Sequence, residues 1–487
     1  MAEYPRLTAA LLPDLPANVA RPSYDRGAVK SGIVHMGIGA FHRAHQAAFF
    51  EHALEAGDLR WGVVGASLRS RGVADQLIPQ GGLYTLSVND ASGTSDQIMG
   101  AVQKVLVAPD DPQALVETLA SPDLHLVSLT ITEKGYMLDP ATGGLMTDNA
   151  DVAHDMQGAD APRTAPGFLA RALAERRARK APALTIISCD NIPHNGARLK
   201  QAICDVAAGW DESLAEWIAA NVAFPQTMVD RIVPATTPED IDKLAGRAGY
   251  VDHGMVKTEP FTQWVVEDWF AGERPDLAAA GVQLTNSVAD WEKAKLRLLN
   301  GAHSTLAYLG ALAGVDYIHE VVARPAAGQL LDDLWDEAAS TLTVPDGLDV
   351  PAYRAELADR FANPSLWHRT RQIAMDGSQK LPQRLLETIA AIYASGQQPD
   401  QPLLGVAAWM QWVTGGKDDT GADILVDDPM AGTFAAIRGS AEQRVDALLA
   451  QNAIFPAELA GNAHFRAGLV QRVDALAAGR ASLMLNG

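Results

Sequence analysis

The sequence predicts an α/β protein in two parts, a doubly wound domain on a parallel sheet followed by a mostly α-helical domain. Three observations carry this. Short apolar runs alternate with helical patterns through the first 285 residues, strand-like runs nearly vanish beyond them, and a glycine turn closes the first strong apolar run. At 487 residues the chain exceeds one ordinary core. The expected domains are 1–285, with residues 1–30 irregular around prolines 5, 13, 16 and 22, and 286–487.

In order, Ser31-Gly-Ile-Val-His-Met-Gly-Ile-Gly39 reads as a buried strand meeting a glycine turn. Residues 44–57 carry a helical pattern closed by Gly57, and Trp61 to Ser67 form the second strand, completing a βαβ unit. Leu124 to Thr132 is a third buried strand. A helix over 167–180, a strand from Leu184 to Cys189 and a helix over 196–209 continue the alternation. Later windows are helical, including Pro382 to Ser395 and a capping-box start at Ser440-Ala-Glu-Gln443. The loop Gly415 to Asp423 lacks the alternating acids of a calcium site and reads as a solvated turn.

Composition narrows the function classes. Lys and Arg total 39 against 59 Asp and Glu, a net charge of −20, which works against a nucleic-acid or anionic membrane surface. Two cysteines, Cys189 and Cys204, exclude a disulfide scaffold and a thiolate zinc cluster, and suit a reducing cytoplasm. The opening residues lack a signal-peptide pattern, and apolar windows such as Leu306 to Val315 fall short of a membrane span.

The turn Gly37-Ile38-Gly39-Ala40-Phe41-His42 sits where a Rossmann-type fold holds a dinucleotide pyrophosphate. Glycines allow close backbone approach, and the following helix supplies N–H groups. His42 replaces the third glycine of the usual pattern, so a plain strand-to-helix turn is the competing reading. The second strand ends in Ser67-Leu-Arg69-Ser-Arg71 without an acid for the ribose, which permits a 2′-phosphate unless both arginines are ordinary exposed charges.

Glu292, Lys295, Asn300 and His303 fall on one run that reads as a helix. At about 100° per residue, Glu292 and His303 lie roughly 60° and 80° round from Lys295, and Asn300 roughly 140°. Asn and Gly in mid-helix oppose propensity, as expected where function overrides stability. A desolvated lysine has a depressed pKa and acts as a base, and amides such as Asn191 and Asn300 can hold a developing alkoxide. The competing reading makes Lys295 and Glu292 a surface pair and His303 a core histidine. Asn191 ends a strand, where open α/β sheets bind ligands.

Several long, ordered motifs carry a resemblance. Gly37 to Gln46, Ser128-Leu-Thr-Ile-Thr-Glu-Lys-Gly-Tyr136, Ser188-Cys-Asp-Asn191, Phe224 to Pro234 and Lys295 to His303 resemble the mannitol dehydrogenase family of polyol-specific long-chain dehydrogenases. The resemblance implies a metal-independent, NAD(P)-linked secondary-alcohol dehydrogenase acting between a Rossmann-type and a helical domain. It makes Lys295 the general base, Asn191 and Asn300 the oxyanion amides, His303 a substrate-orienting group and Glu292 the acid on the proton path. Cofactor contacts are expected from Gly37, Ile38, Gly39, Ala40, Phe41, His42, Arg69, Thr132 and Glu133, with NAD as cofactor and NADP permitted. Asp230 and Lys380 match substrate positions.

Within the family, Thr370 to Arg384 and Lys134 are closer to the branch acting on fructuronate and mannonate than to the mannitol enzymes, which carry Arg at the Gln372 position. A uronate carboxylate needs a cation, for which Lys134, Lys380, Arg371 and Arg384 are candidates. The alternatives are a mannitol–fructose dehydrogenase, a sugar-acid epimerase that retains its cofactor, and a cofactor-binding regulator. The partner is expected to be a small sugar acid or polyol, and the resemblance leans to a monomer.

Overall fold

The computed structural model describes residues 4–139 and 142–487. The chain divides into two compact units, Met1–Val288 and Ala289–Gly487.

At the centre of the first unit is an all-parallel, five-stranded sheet. Its strands are β1 (Ile33–Met36), β2 (Val63–Ser67), β3 (Val102–Val107), β4 (Leu126–Leu129) and β5 (Thr185–Ser188), in the order β3-β2-β1-β4-β5. The chain builds outward from β1 to β3, then returns to lay β4 on the other side of β1. That reversal opens a crevice at the carboxyl ends of β1 and β4, where such sheets bind ligands. Side chains alternate between two cores. Val34, Met36, Val64, Ala66, Val127 and Leu129 pack with Phe168, Leu169, Leu199 and Ile203. Ile33, Val63, Val105, Leu126 and Ile187 pack on the other face with Phe49, Phe50, Leu77 and Trp264. Burial of both faces is why these strands read as unbroken apolar runs.

The predicted helix over 44–57 is in fact two. α1 (Ala40–Ala44) starts directly at the glycine turn, the backbone breaks at His45, and α2 (Gln46–Glu55) follows. Two smaller sheets were not foreseen. One pairs Tyr84–Asp90 with Gly93–Met99 and adds Val19–Ala20 and Val256–Thr258, while the other joins Thr227–Asp230, Gln263–Glu267 and Gln283–Thr285. The strand beginning Gly93-Thr-Ser-Asp is exposed over its first three residues, so it lacks the apolar alternation that signals a strand.

The second unit is helical, as the loss of strand-like runs predicted. Its central helices, Gly301–Leu312 and Gln401–Thr414, are buried around nearly their whole circumference. The capping box at Ser440 forms: its hydroxyl accepts from the Gln443 amide, and Gln443 accepts from the Ser440 amide at 2.9 Å. The loop near 420 is closed by a 2.8 Å Lys417–Asp423 ion pair, with Asp418 accepting the Thr420 and Ala422 amides. No helix among the described residues is long and apolar enough to cross a membrane.

Candidate active site

In the first unit, Gly37 adopts φ +96°, and a Cβ there would stand 2.1 Å from the Thr130 carbonyl. Only glycine satisfies both constraints. Gly39 is different: its φ of −74° suits any residue, and a Cβ would meet nothing nearer than the Gly37 carbonyl at 3.8 Å. Ile38 is buried at 2% exposure and a Cβ at Gly65 would strike it, so its side chain anchors the turn to β2. The His42 side chain also points inward, fully buried and stacked 3.4 Å from His35. It can offer a ligand only its backbone amide, which with those of Ala40 and Phe41 has no acceptor within the helix.

At the neighbouring strand end, Arg71 is exposed and paired with Asp110 and Asp75. Arg69 is exposed, and no ion pair of Arg69 occurs among the described residues. After β4, Thr132 holds φ +63°, and Thr132, Glu133 and Lys134 are exposed. Glu133 comes within 4.0 Å of Arg198.

Two residues missed in the sequence shape this edge. Asp190 accepts the Ile131 amide at 3.1 Å, the Thr132 amide at 2.9 Å and the Tyr136 hydroxyl at 2.7 Å, pinning the strained loop after β4; burial pushes its carboxyl up. Asn195 donates to the Asp190 and Thr227 carbonyls at 3.2 and 2.9 Å and accepts the Thr227 amide at 3.1 Å. It thereby ties the segment carrying the exposed Asn191 to the strand that ends at Asp230, which is 8% exposed. The Asn195-Gly196 pair opening a helix was the one local signal: a Cβ at Gly196 would lie 2.5 Å from the Phe224 carbonyl.

In the second unit the predicted helix is not a uniform α-helix. α3 (Val288–Ala294) passes into a π-helical stretch, Lys295–Asn300, before α4 (Gly301–Leu312). The Gly301 amide donates to the Leu296 carbonyl, five residues back. The 100° wheel therefore fails here. A turn closed over five residues leaves Asn300 less far round from Lys295 than an α-helix would, and π-turns concentrate at functional sites. Trp335 stabilises the irregularity by donating its indole N–H to the Leu298 carbonyl at 2.8 Å, and Arg297 by donating to Thr341. Lys295 is 8% exposed, while Glu292 and Asn300 are half-buried.

Gly301 has a structural reason as well. A Cβ there would lie 2.8 Å from the Arg384 carbonyl, in a second π-helical stretch, Pro382–Leu386. The mid-helix Asn-Gly thus reflects two backbones in close approach as much as chemistry.

His303 stacks on Phe361 at 5.3 Å and leans on His368 at 5.2 Å. Its Nε2 is shut from solvent with no hydrogen-bond partner among the described residues. Burial, aided by His368, Arg384, Arg360 and Lys380, holds its pKa well below the usual histidine value, so the ring is neutral. Lys380 donates to the Met375 carbonyl at 2.6 Å and lies 3.9 Å from Asp376, and Arg384 donates to Ser304 at 3.0 Å. Burial lowers the pKa of Lys380, with Arg384 adding to the shift and Asp376 and Asp428 opposing it. Arg371 is placed differently: it pairs at 3.0 Å with the buried Asp418 and lies over Trp412. No cluster of three or more His, Cys, Asp or Glu able to hold a metal occurs among the described residues.

A parallel sheet with a glycine turn at its switch point, followed by a helical unit carrying a buried lysine, is the layout of a two-domain protein of the Rossmann class. The chain belongs to the mannitol dehydrogenase family: the family's Rossmann-domain model matches residues 31–279 and its C-terminal-domain model residues 287–477. It is similar to the D-mannonate oxidoreductase of Escherichia coli strain K12, 44% identical over 92% of this chain and 93% of that one. A mannitol 2-dehydrogenase of Pyricularia oryzae is 38% identical over 94% and 92%. The solved ternary complex of Pseudomonas fluorescens mannitol 2-dehydrogenase with NAD and D-mannitol is 35% identical, with a TM-score of 0.82 over 99% of this chain and 98% of that one. The protein is thus an oxidoreductase of the polyol and sugar-acid type.

Proposed function

We propose that the protein is an NAD(P)-linked dehydrogenase interconverting a sugar acid of the mannonate type and its keto acid, fructuronate, by reaction at C5. The observation that carries the substrate class is the group of cations around His303. In a chain of net charge −20, the half-buried Arg384 donates to Ser304 beside that ring, and the half-buried Lys380 stands one helical turn before Arg384. A substrate carboxylate is the natural counter-ion for such cations, whereas mannitol or fructose has no charge to offer them. Arg371, already matched to Asp418, is left out of this role.

The glycine turn fits a dinucleotide, with Gly37 in a conformation only glycine accepts and Gly39 opening the helix that follows. Bound there, the nicotinamide supplies or accepts the hydride. In the oxidative direction Lys295 takes the hydroxyl proton from the substrate, and the amides of Asn191 and Asn300 hold the alkoxide oxygen as charge develops. His303, neutral, orients the substrate, and Glu292 relays the proton from Lys295 outward. Asp230 is assigned to the substrate hydroxyls. The base being an amine, the scheme calls for no metal.

The test is absorbance-monitored oxidation of NADH and of NADPH with fructuronate, tagaturonate and fructose side by side. Fructuronate is expected to turn over fastest, and faster turnover of fructose than of either uronate would overturn the charge argument. Lys295→Ala should abolish turnover with dinucleotide binding retained; near-normal activity in that variant would sink the mechanism.

A further inference from the structure

We propose that His35, a strand residue facing the sheet interior, is a positioning residue for the dinucleotide site, acting through Thr130 and His42 to set the glycine turn. The inference rests on the dinucleotide reading above and extends it to residues that touch no ligand.

His35 is fully buried in β1, with Nε2 2.8 Å from the Thr130 hydroxyl and Nδ1 2.7 Å from the Ser128 hydroxyl. The Thr130 hydroxyl donates its single proton to the Gly37 carbonyl at 2.8 Å. It must therefore accept from His35, which fixes the ring as the Nε2–H tautomer and leaves Nδ1 to accept from Ser128. Burial pushes the His35 pKa down to about 3, so this neutral form persists across the working pH range. The chain His35 to Thr130 to Gly37 clamps the carbonyl of the residue at φ +96°.

The other face of the same ring carries His42, parallel within 12° at 3.4 Å. His42 is fully buried, with Gln46 acting on its ring and the His35 ring stacked flat against it. One imidazole thus grips the turn on both sides, through Thr130 at Gly37 and by stacking at His42. Outer partners orient a binding group without touching the ligand, and around metal ligands their loss typically costs about 10–100-fold in affinity or activity.

The experiment measures equilibrium binding of NADH and NADPH to the full chain by tryptophan fluorescence, with steady-state kinetics and thermal unfolding alongside. Thr130→Val removes the relay hydroxyl with little change in shape, Thr130→Ser restores it, and His35→Phe keeps the stack but removes both hydrogen bonds. Thr130→Val and His35→Phe should each weaken dinucleotide binding about 5–30-fold. KM for the dinucleotide should rise with kcat at saturation within about twofold, and Thr130→Ser should bind like the native protein. The double variant should be no weaker than the worse single, because both cut one chain. Unchanged binding with a lowered melting temperature would overturn the proposal, as would failure of Thr130→Ser to restore binding. If His35→Phe does not fold, the Thr130 pair decides. Native protein that binds neither dinucleotide would instead overturn the dinucleotide reading itself.

Discussion

Gly301→Ala is the sharpest probe of the second unit, because one methyl group acts at the join of two π-helical stretches. The added Cβ would stand 2.8 Å from the Arg384 carbonyl oxygen, roughly 0.6 Å inside ordinary van der Waals contact. Overpacking of this kind costs about 1–3 kcal/mol. The better helix propensity of alanine returns about 1 kcal/mol. Net destabilisation should therefore be modest, on the order of 0–2 kcal/mol, and the protein should fold. Catalysis should respond more strongly. Relieving the clash moves Asn300 and Lys295 on one side, or Arg384 and Lys380 on the other, by about half an ångström. Misplacement by about 1 Å can cost about 100-fold, so a fall of roughly 10-fold in kcat is expected. Steady-state kinetics at saturating dinucleotide and substrate, beside urea unfolding, separates the two effects. Unchanged kcat in a measurably destabilised variant would refute the idea that the paired π-turns set the geometry of Lys295, the proposed base.

Other predictions concern the first unit. Glu51 is 2% exposed, accepting the Tyr24 hydroxyl at 2.7 Å and the Gly100 and Ala101 amides at 2.8 and 2.6 Å, and burial pushes its carboxyl up from 4.5 to about 7. A proton held more tightly in the folded state contributes stability in full below about pH 4.5 and loses it as pH rises through about 7, by roughly 3 kcal/mol. Glu51→Gln should flatten that decline and be the more stable form near pH 8 in urea melts; parallel pH profiles would contradict this. Arg176, 1% exposed, donates to the carbonyls of Leu119, Ser121, Leu124 and Pro182. Arg176→Met leaves the Leu119, Leu124 and Pro182 carbonyls without this donor, while Ser121 keeps the Leu124 amide, at a cost of about 3–5 kcal/mol, and a change in unfolding free energy under about 1 kcal/mol would count against it. Asp190→Asn forces one amide of Ile131 or Thr132 to face an N–H donor, and should release the loop after β4, seen as faster hydrogen exchange at those two amides.

How far the sequence could be read depended on the range of the interactions involved. β1, β4 and β5 were legible because burial on both faces leaves a local apolar run, and Gly37 because a turn constraint is written at the residue that bears it. The π-turn at Lys295–Asn300 was not, since what stabilises it, the Trp335 indole and the Arg384 backbone, lies tens of residues away. The wheel therefore placed Asn300 by a periodicity this stretch does not have, and the Asn-Gly mismatch, read for chemistry, hid the packing reason for Gly301. Asp190 and Asn195 escaped for the same reason: their partners lie at 131, 132 and 227. Charge shows the limit most clearly. Arg371 and Arg384 looked equivalent as carboxylate ligands, and a net charge of −20 could not separate them. One faces the buried carboxylate of Asp418, and the other sits with Lys380 near a neutral histidine. Arg371 is matched by a buried acid at 3.0 Å while Arg384 donates to a neutral hydroxyl, a difference set by the fold that neither net charge nor residue type records.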